Sequence, residues 1–159
     1  MSKTIKIKKG FDIKLKGKAE AIIGNTPAER LYALKPADFP GLKPKLLVKA
    51  DDTIKAGSPL FIDKSQPEVV FTSPVSGKVV AINRGERRRI LEVEIESDEK
   101  FESETFPVAE PKSLKGEQVK ETLLKSGLWP FIVQRPFGVV ASTKIVRATY
   151  SLVVSTRHH

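Results

Sequence analysis

Cysteine is absent from the 159-residue sequence, and its two histidines are the last two residues. The lack of cysteine excludes disulfides, thiolate nucleophiles and iron–sulfur ligation. With both histidines terminal, no Ser–His–Asp or His–Cys constellation has support, so we predict no catalytic residue and no metal ligand. The sequence also lacks an apolar run of about 18 residues, the length that indicates a membrane span, and shows no secretory signal. We therefore expect membrane contact only through partners.

The net charge of +9 is concentrated at the two ends of the chain. Residues 1–18 contribute +6 and residues 142–159 contribute +3, while the residues between them are neutral overall. A nucleic-acid-binding protein usually spreads its basic surface over a folded domain, often with aromatic platforms among the charges. We therefore expect no nucleic-acid partner, and a basic nucleic-acid-binding protein is only our third hypothesis.

Short apolar runs separated by glycine, proline and other turn residues occupy residues 31–96. Such a pattern is typical of a small barrel or sandwich. The predicted strands are Leu31–Leu34, Leu46–Val48, Pro59–Ile62, Val69–Thr72, Lys78–Ile82 and Ile90–Ile95. In the last strand Leu91, Val93 and Ile95 alternate with glutamates, which predicts one solvent-exposed face. The same two-residue period in residues 4–18 predicts two more short strands, with lysines on the solvent side.

The sequence after residue 96 changes in character. Acidic residues and two prolines in residues 97–112 predict a connecting segment. Ser113 is a candidate N-cap for a helix over residues 114–126, which Gly127 would end. The predicted apolar face of this helix consists of Leu114, Val119, Leu123 and Leu124. Residues 128–137 hold the only tryptophan and two phenylalanines, and we expect this apolar stretch to dock on another surface.

The segment from Val48 to Ile82 carries the most informative motif. It contains Val-Lys-Ala-Asp-Asp-Thr-Ile-Lys-Ala-Gly-Ser-Pro-Leu-Phe, then Asp-Lys, then Thr-Ser-Pro-Val-Ser-Gly-Lys-Val-Val-Ala-Ile. This segment resembles the lipoyl and biotinyl carrier family, whose fold is a flattened barrel of two interlocked halves. We expect Gly57 and Gly77 at the chain reversals, because glycine adopts a positive φ without a Cβ penalty.

Lys64 matches the carrier lysine of that family. The resemblance therefore implies a second hypothesis, a carrier domain that bears a lipoyl or biotinyl group on Lys64. Carrier domains display this lysine at the tip of a tight hairpin. Because the arm that follows here, residues 65–71, is longer than the lipoyl pattern, we expect the lysine to be misplaced for a modifying enzyme. We favour an ordinary exposed lysine.

A closer resemblance covers residues 4–137. Its most specific parts are the run Val79–Glu86 and the spacing from Ser126–Trp129 to Arg135–Phe137. These segments resemble the alpha chain of the bacterial sodium-translocating NADH:quinone oxidoreductase. The resemblance implies a peripheral subunit on the cytoplasmic side of the inner membrane, in a pump that couples electron transfer from NADH to ubiquinone to Na⁺ export.

The resemblance also sets expectations for fold, cofactors and partners. It implies a mostly β barrel-sandwich hybrid with N-terminal strands and one C-terminal helix. The flavins and iron–sulfur centres belong to other subunits, so we expect no cofactor bound by this chain. The expected partners are those other subunits, and ubiquinone for the full-length alpha chain. We predict a structural and docking role, with no activity of the chain alone.

We predict four parts of the chain. They are N-terminal strands and a connection over residues 1–30, the barrel-sandwich hybrid over 31–100, a linker, helix and start of a truncated second domain over 101–137, and an atypical tail over 138–159. Residues from about 142 depart from the family, and we hypothesise a shift of the reading frame near Val146. Under this hypothesis His158 and His159 are incidental, and the nucleotide sequence of the gene tests it.

Two other candidate sites are weaker. Asn83-Arg84-Gly85-Glu86 with Arg87–Arg89 is a candidate phosphate-binding loop, but its glycine spacing matches neither dinucleotide nor P-loop patterns. We predict a hairpin turn with a solvated basic arm there. Asp98, Glu102 and Glu104 are candidate cation ligands, but without the ordered ligand spacing of a calcium loop they indicate a solvated linker.

Overall fold

Two antiparallel β-sheets form the body of the computed structural model, which describes residues 16–17, 20–24, 27, 29–107, 110 and 114–144. In chain order the strands are β1 Leu31–Leu34, β2 Pro44–Leu46, β3 Thr53–Ile54, β4 Pro59–Asp63, β5 Gln66–Thr72, β6 Gly77–Arg84 and β7 Ile90–Ser97. One sheet has the order β1-β7-β6-β3 and the other β2-β4-β5. The predicted mostly β class is confirmed.

Apolar side chains from both sheets meet in one core. Phe61 stacks on Phe71 with ring centroids 4.9 Å apart, and Phe39 meets Phe71 edge-on at 4.6 Å. The other buried apolar residues of the two sheets are Ile54, Leu60, Val69, Val79, Val93 and Ile95. Because large aromatic and branched side chains bury the most apolar area, this cluster is the main source of stability of the fold.

The alternation predicted for β7 is confirmed in part. Val93 and Ile95 are fully buried, whereas Leu91 is 45% exposed. A register shift explains the difference: Asn83 pairs with Glu92, but the next residue, Arg84, pairs with Ile90. Leu91 is therefore the extra residue of a β-bulge and points away from the core.

Two strand predictions need correction. β2 covers Pro44–Leu46 and not Leu46–Val48. It can begin at a proline because it lies at the edge of its sheet, where the missing backbone N–H is tolerated. β3 was not predicted at all. The Asp51 N–H donates to the Val79 carbonyl oxygen (2.8 Å) and the Val79 N–H donates to the Asp52 carbonyl oxygen (2.9 Å). These contacts hold the two-residue strand beside β6, and a strand this short has no period to detect.

Helix α1, Gly116–Lys125, confirms the predicted helix with a different start. Its N-cap is Lys115, whose N–H donates to Gln118 Oε1 at 2.9 Å, as in the reciprocal half of a capping box. The predicted N-cap Ser113 lies outside the described residues. Gly127 ends the helix as predicted, with φ 71°. Val119 is 38% exposed, so its predicted place on the apolar face is wrong, whereas Leu123 and Leu124 pack against the core.

After α1 the chain forms a 3₁₀ turn, Trp129–Phe131, and a small hairpin of β8, Val133–Gln134, and β9, Val139–Val140.

No helix among the described residues is long and apolar enough to cross a membrane. Nearly all of residues 4–18, for which two strands were predicted, lies outside the described residues, as do residues 145–159 with both histidines. Those predictions, including the frameshift hypothesis, stay predictions.

Candidate functional site

Lys64 lies at the tip of the hairpin that joins β4 to β5. Asp63 pairs with Gln66, so the turn consists of Lys64 and Ser65 alone. The Lys64 N–H donates to the Lys43 carbonyl oxygen at 2.9 Å, and Asp63 Oδ1 accepts the Ser65 N–H at 2.8 Å. These bonds fix the turn while leaving the Lys64 side chain exposed.

The extra length of the arm after Lys64 forms a bulge. Ile62 pairs with Val70 although the neighbouring Asp63 pairs with Gln66, which leaves Pro67–Val69 without partners in β4. The added residues are absorbed within β5. Lys64 therefore lies at the tip of a tight hairpin despite the longer arm, and its predicted misplacement for a modifying enzyme stays a prediction.

The three carboxylates considered as cation ligands each bind a different group of the barrel. Their partners are Ser76 Oγ for Asp98 (2.6 Å), Lys55 Nζ for Glu102 (3.4 Å) and Ser58 Oγ for Glu104 (2.9 Å). Among the described residues, no group of three or more acids or histidines is arranged to hold a metal ion. The Ser76 hydroxyl, and after it the Lys100 N–H, lowers the pKa of Asp98.

The segment that carries these acids is solvent-exposed, as predicted for a linker, but it is also hydrogen-bonded to the barrel at one point. The Ala56 N–H donates to the Glu102 carbonyl oxygen (2.9 Å), and the Glu104 N–H donates to the Ala56 carbonyl oxygen (2.8 Å). Ala56 and Ser103 thus form a parallel bridge beside the Gly57 turn. Gly57 and Gly77 have φ of 92° and 152°, which confirms the prediction that positive φ is needed at both reversals.

The candidate phosphate loop is the connection between β6 and β7, which confirms the predicted hairpin. Asn83 Nδ2 donates to Glu92 Oε1 (2.9 Å) and to Glu94 Oε1 (2.6 Å). The Asn83 amide is therefore engaged within the sheet. Arg87–Arg89 are exposed at the end of the hairpin.

Trp129 anchors the segment after α1 on the barrel. Its side chain is 2% exposed and belongs to the same cluster as the core of the two sheets, and its indole N–H donates to the Ala141 carbonyl oxygen at 2.9 Å. Gly127 approaches β5 so closely that a Cβ there would overlap the Thr72 side chain. The segment after α1 is therefore packed against the barrel and is not connected to it by the chain alone.

Thr143 makes a second attachment of this segment. The Thr143 N–H donates to Gln66 Oε1 (2.9 Å), and Thr143 Oγ1 donates to Glu68 Oε1 (2.8 Å), with Thr143 itself buried. Backbone hydrogen bonding, and after it the Thr143 hydroxyl, lowers the pKa of Glu68. No sequence signal pointed to this contact, because Thr143 lies within the predicted tail, residues 138–159, and a lone threonine there forms no pattern.

The outer side of the same segment is apolar and exposed. The exposed side chains are Leu128 (53%), Phe131 (72%), Val133 (47%) and Phe137 (79%), which we call the apolar face. Residues 128–137 were expected to dock on another surface, and the structure divides them: Trp129 and Pro130 are buried against the barrel, whereas the apolar face points to solvent. An exposed set of this kind is typical of a surface that binds protein.

Comparison with known families separates the barrel from the segment that follows it. The family model described as the NqrA N-terminal barrel-sandwich hybrid domain matches residues 5–98, and the one described as the NqrA second alpha/beta domain matches residues 114–157. The chain belongs to the NqrA family of Na⁺-translocating NADH-quinone reductase subunits. The second match extends to residue 157, although residues from about 142 were predicted to depart from the family.

Curated members of the NqrA family are similar over most of the chain. The NqrA protein from Yersinia pseudotuberculosis serotype O:1b is 44% identical over 136 residues, 84% of this chain. Those from Neisseria meningitidis serogroup A and Haemophilus influenzae strain PittEE are 41% and 39% identical, over 86% and 87% of this chain. The aligned part is 30% to 31% of the length of these relatives.

The family match gives the Trp129 and Thr143 contacts a specific meaning. Both residues lie in the region that matches the second NqrA domain, and both contact the region that matches the barrel-sandwich domain. The apolar face lies wholly within the second-domain match. The described structure is thus a barrel domain with the beginning of the next domain fixed upon it.

Proposed function

We propose that this chain is a structural and docking part of a peripheral NqrA protein on the cytoplasmic side of the bacterial inner membrane. In this proposal the chain is part of a reductase that couples electron transfer from NADH to ubiquinone to Na⁺ export. The flavins and iron–sulfur centres reside in other subunits, and this chain binds no cofactor. Ubiquinone contact is assigned to the full-length NqrA protein.

The apolar face is the observation that carries the docking proposal. Burying one phenylalanine contributes about 1.5–3 kcal/mol, and Phe131 and Phe137 are the most exposed of its members. The buried Trp129 holds the face rigidly, so little order has to be gained on binding.

Membranes of Yersinia pseudotuberculosis test this proposal. The purified chain is mixed with membranes from a strain that lacks its own NqrA protein, and with membranes from a strain that lacks the whole reductase. We expect the chain to sediment only with the first. The double variant Phe131→Ser, Phe137→Ser should be retained at least about tenfold less, because about 1.4 kcal/mol changes an equilibrium constant tenfold.

Leu47→Ser is the matched control, because it also removes an exposed apolar side chain but from the barrel. It should be retained like the unchanged chain. Equal retention of the double variant, or sedimentation with membranes that lack the reductase, would contradict the docking proposal. Oxidation of NADH by the isolated chain would contradict its non-catalytic part.

A second candidate function is a carrier domain modified on Lys64. The position of Lys64 at the tip of a two-residue turn supports it. Intact mass after expression with a lipoyl ligase or a biotinyl ligase separates the two candidates. The docking proposal predicts the unmodified mass, and an added group that is lost in Lys64→Ala would establish the carrier.

A further inference from the structure

A groove runs between the loop that follows β1 and the start of β7. It encloses about 480 Å³ and is lined by residues of the loop Pro36–Pro44 together with Arg89 and Ile90. Ligand and peptide sites commonly enclose about 300–1,000 Å³. The groove is therefore large enough for several side chains of a bound peptide. It is separate in sequence from the apolar face and takes no part in the proposed docking through that face.

The lining of the groove combines an apolar floor with positive charge. Phe39, Leu42 and Ile90 supply apolar surface, and Lys43 and Arg89 are the ionisable side chains of the lining. None of the lining residues is acidic. Asp38 is exposed in the same loop but is not part of the lining, so the lining itself favours a ligand that combines apolar side chains with negative charge.

Two further cations, Arg87 and Arg88, directly precede the lining residue Arg89 at the end of the β6–β7 hairpin, outside the lining itself. Arg87 and Arg88 have φ of 53° and 60°, a left-handed backbone conformation that is strained for residues with a Cβ. The Gly85 N–H donates to the Arg89 carbonyl oxygen (2.8 Å), and Arg84 Nη1 donates to the Arg88 carbonyl oxygen (3.3 Å), so the loop is held in this shape. Glycine would adopt it without strain, and strain of this kind is concentrated at functional positions.

The guanidinium groups of this loop have no ion-pair partner within the described part of the chain. The ion pairs there involve Arg30, Lys35, Lys55, Lys78 and Lys125. Glu86 is the single acid of the loop, against Arg87, Arg88 and Arg89. The loop therefore carries net positive charge, and its planar guanidinium groups are suited to pair with carboxylates in a bidentate manner.

We propose that the groove and the arginine loop together bind an extended acidic segment of another protein chain. Carboxylates of the segment pair with Arg87, Arg88 and Arg89, and its apolar side chains pack on Phe39, Leu42 and Ile90. The apolar floor favours a peptide over an anionic lipid surface, because a headgroup needs the charge but not the floor. The cost of the strained arginines is offset by the contacts they make in the complex.

Fluorescence anisotropy with a labelled peptide of Glu-Glu-Leu repeats tests this site on the full chain. We expect saturable binding that weakens with salt. A peptide of Lys-Lys-Leu repeats should not bind, and one of Glu-Glu-Ser repeats should bind at least about tenfold more weakly. Binding of the serine peptide as tightly as the leucine peptide would overturn the role of the groove.

The double variant Arg87→Gly, Arg88→Gly gives two readouts that a purely structural loop would not give together. Its urea unfolding midpoint should rise, because the strain is relieved, while its affinity for the acidic peptide should fall at least about tenfold. The control Lys49→Ala, Lys100→Ala removes the same charge elsewhere and should bind within about threefold of the unchanged chain. Unchanged affinity of the arginine variant would overturn the proposal. So would arginine-dependent binding to phosphatidylglycerol vesicles without binding to the peptide, which would assign the loop to a lipid surface.

Discussion

Replacing Trp129 by alanine should lower the free energy of unfolding of the chain by about 3–5 kcal/mol. Trp129 is 2% exposed within the shared core, and its removal leaves a cavity as well as an Ala141 carbonyl oxygen without its indole donor. Small domains are stable by only about 5–15 kcal/mol. The loss is therefore a large share of the total. Urea unfolding followed by far-UV circular dichroism measures it, since the variant has no tryptophan to report fluorescence.

Phe131→Ala is the matched control for Trp129→Ala. Phe131 lies in the same 3₁₀ turn but is 72% exposed. Its truncation should change the free energy of unfolding by less than about 0.5 kcal/mol, as expected at an exposed position. If the two variants lost equal stability, the burial of Trp129 could not be the cause. Phe131 thus contributes to docking in our proposal without contributing to stability.

Gly77→Ala should lower the free energy of unfolding by more than about 4 kcal/mol, a loss that few single substitutions reach. Two effects combine at this position. A Cβ at residue 77 would overlap the Glu96 carbonyl oxygen, and φ is 152°, in a region where a side chain costs about 1–3 kcal/mol. The Glu96 carbonyl oxygen belongs to the backbone of β7, which pairs with both β1 and β6. It therefore cannot move away from a Cβ at residue 77 without breaking the sheet. Fluorescence of Trp129 during urea unfolding measures the loss.

Gly116→Ala provides the control for Gly77→Ala. No atom lies within 4 Å of a Cβ at residue 116, and the residue begins α1. Alanine has a higher helix propensity than glycine, so the stability should stay the same or rise slightly. A Gly77→Ala variant as stable as Gly116→Ala would show that the approach of β6 to β7 is looser than the structure has it.

The barrel was predictable from sequence because its signals are local. Short apolar runs bounded by turn residues indicate the positions of β1, β4, β5, β6 and β7. Gly57 and Gly77 were placed at chain reversals by the resemblance to the lipoyl and biotinyl carrier family, and both have a positive φ. The family was also identified from the sequence, on the runs Val79–Glu86 and Ser126–Trp129, and the family match confirms it.

The missed features depend on contacts between residues far apart in the chain. The exposure of the acidic segment was predictable from its charges, whereas its bridge to Ala56 was not. Leu91 was predicted to share the buried face of Val93 and Ile95, because the sequence keeps its two-residue alternation through the position at which the structure has a bulge. The longer arm after Lys64 was visible in the sequence, but the bulge at Pro67–Val69 that accommodates it was not. Thr143 became meaningful only when Gln66 and Glu68 were found beside it.

Native-state hydrogen exchange of the purified chain tests most directly whether the barrel and the segment 114–144 form one body. The probes are the Trp129 indole N–H and the Ala141 amide, which donates to the Ile132 carbonyl oxygen at 2.8 Å. If both parts unfold together, these protons should exchange with the same free energy as the amides of β4 and β5. Exchange of the segment many times faster than that of the strands would show that it opens independently. A rigidly held apolar face would then be excluded.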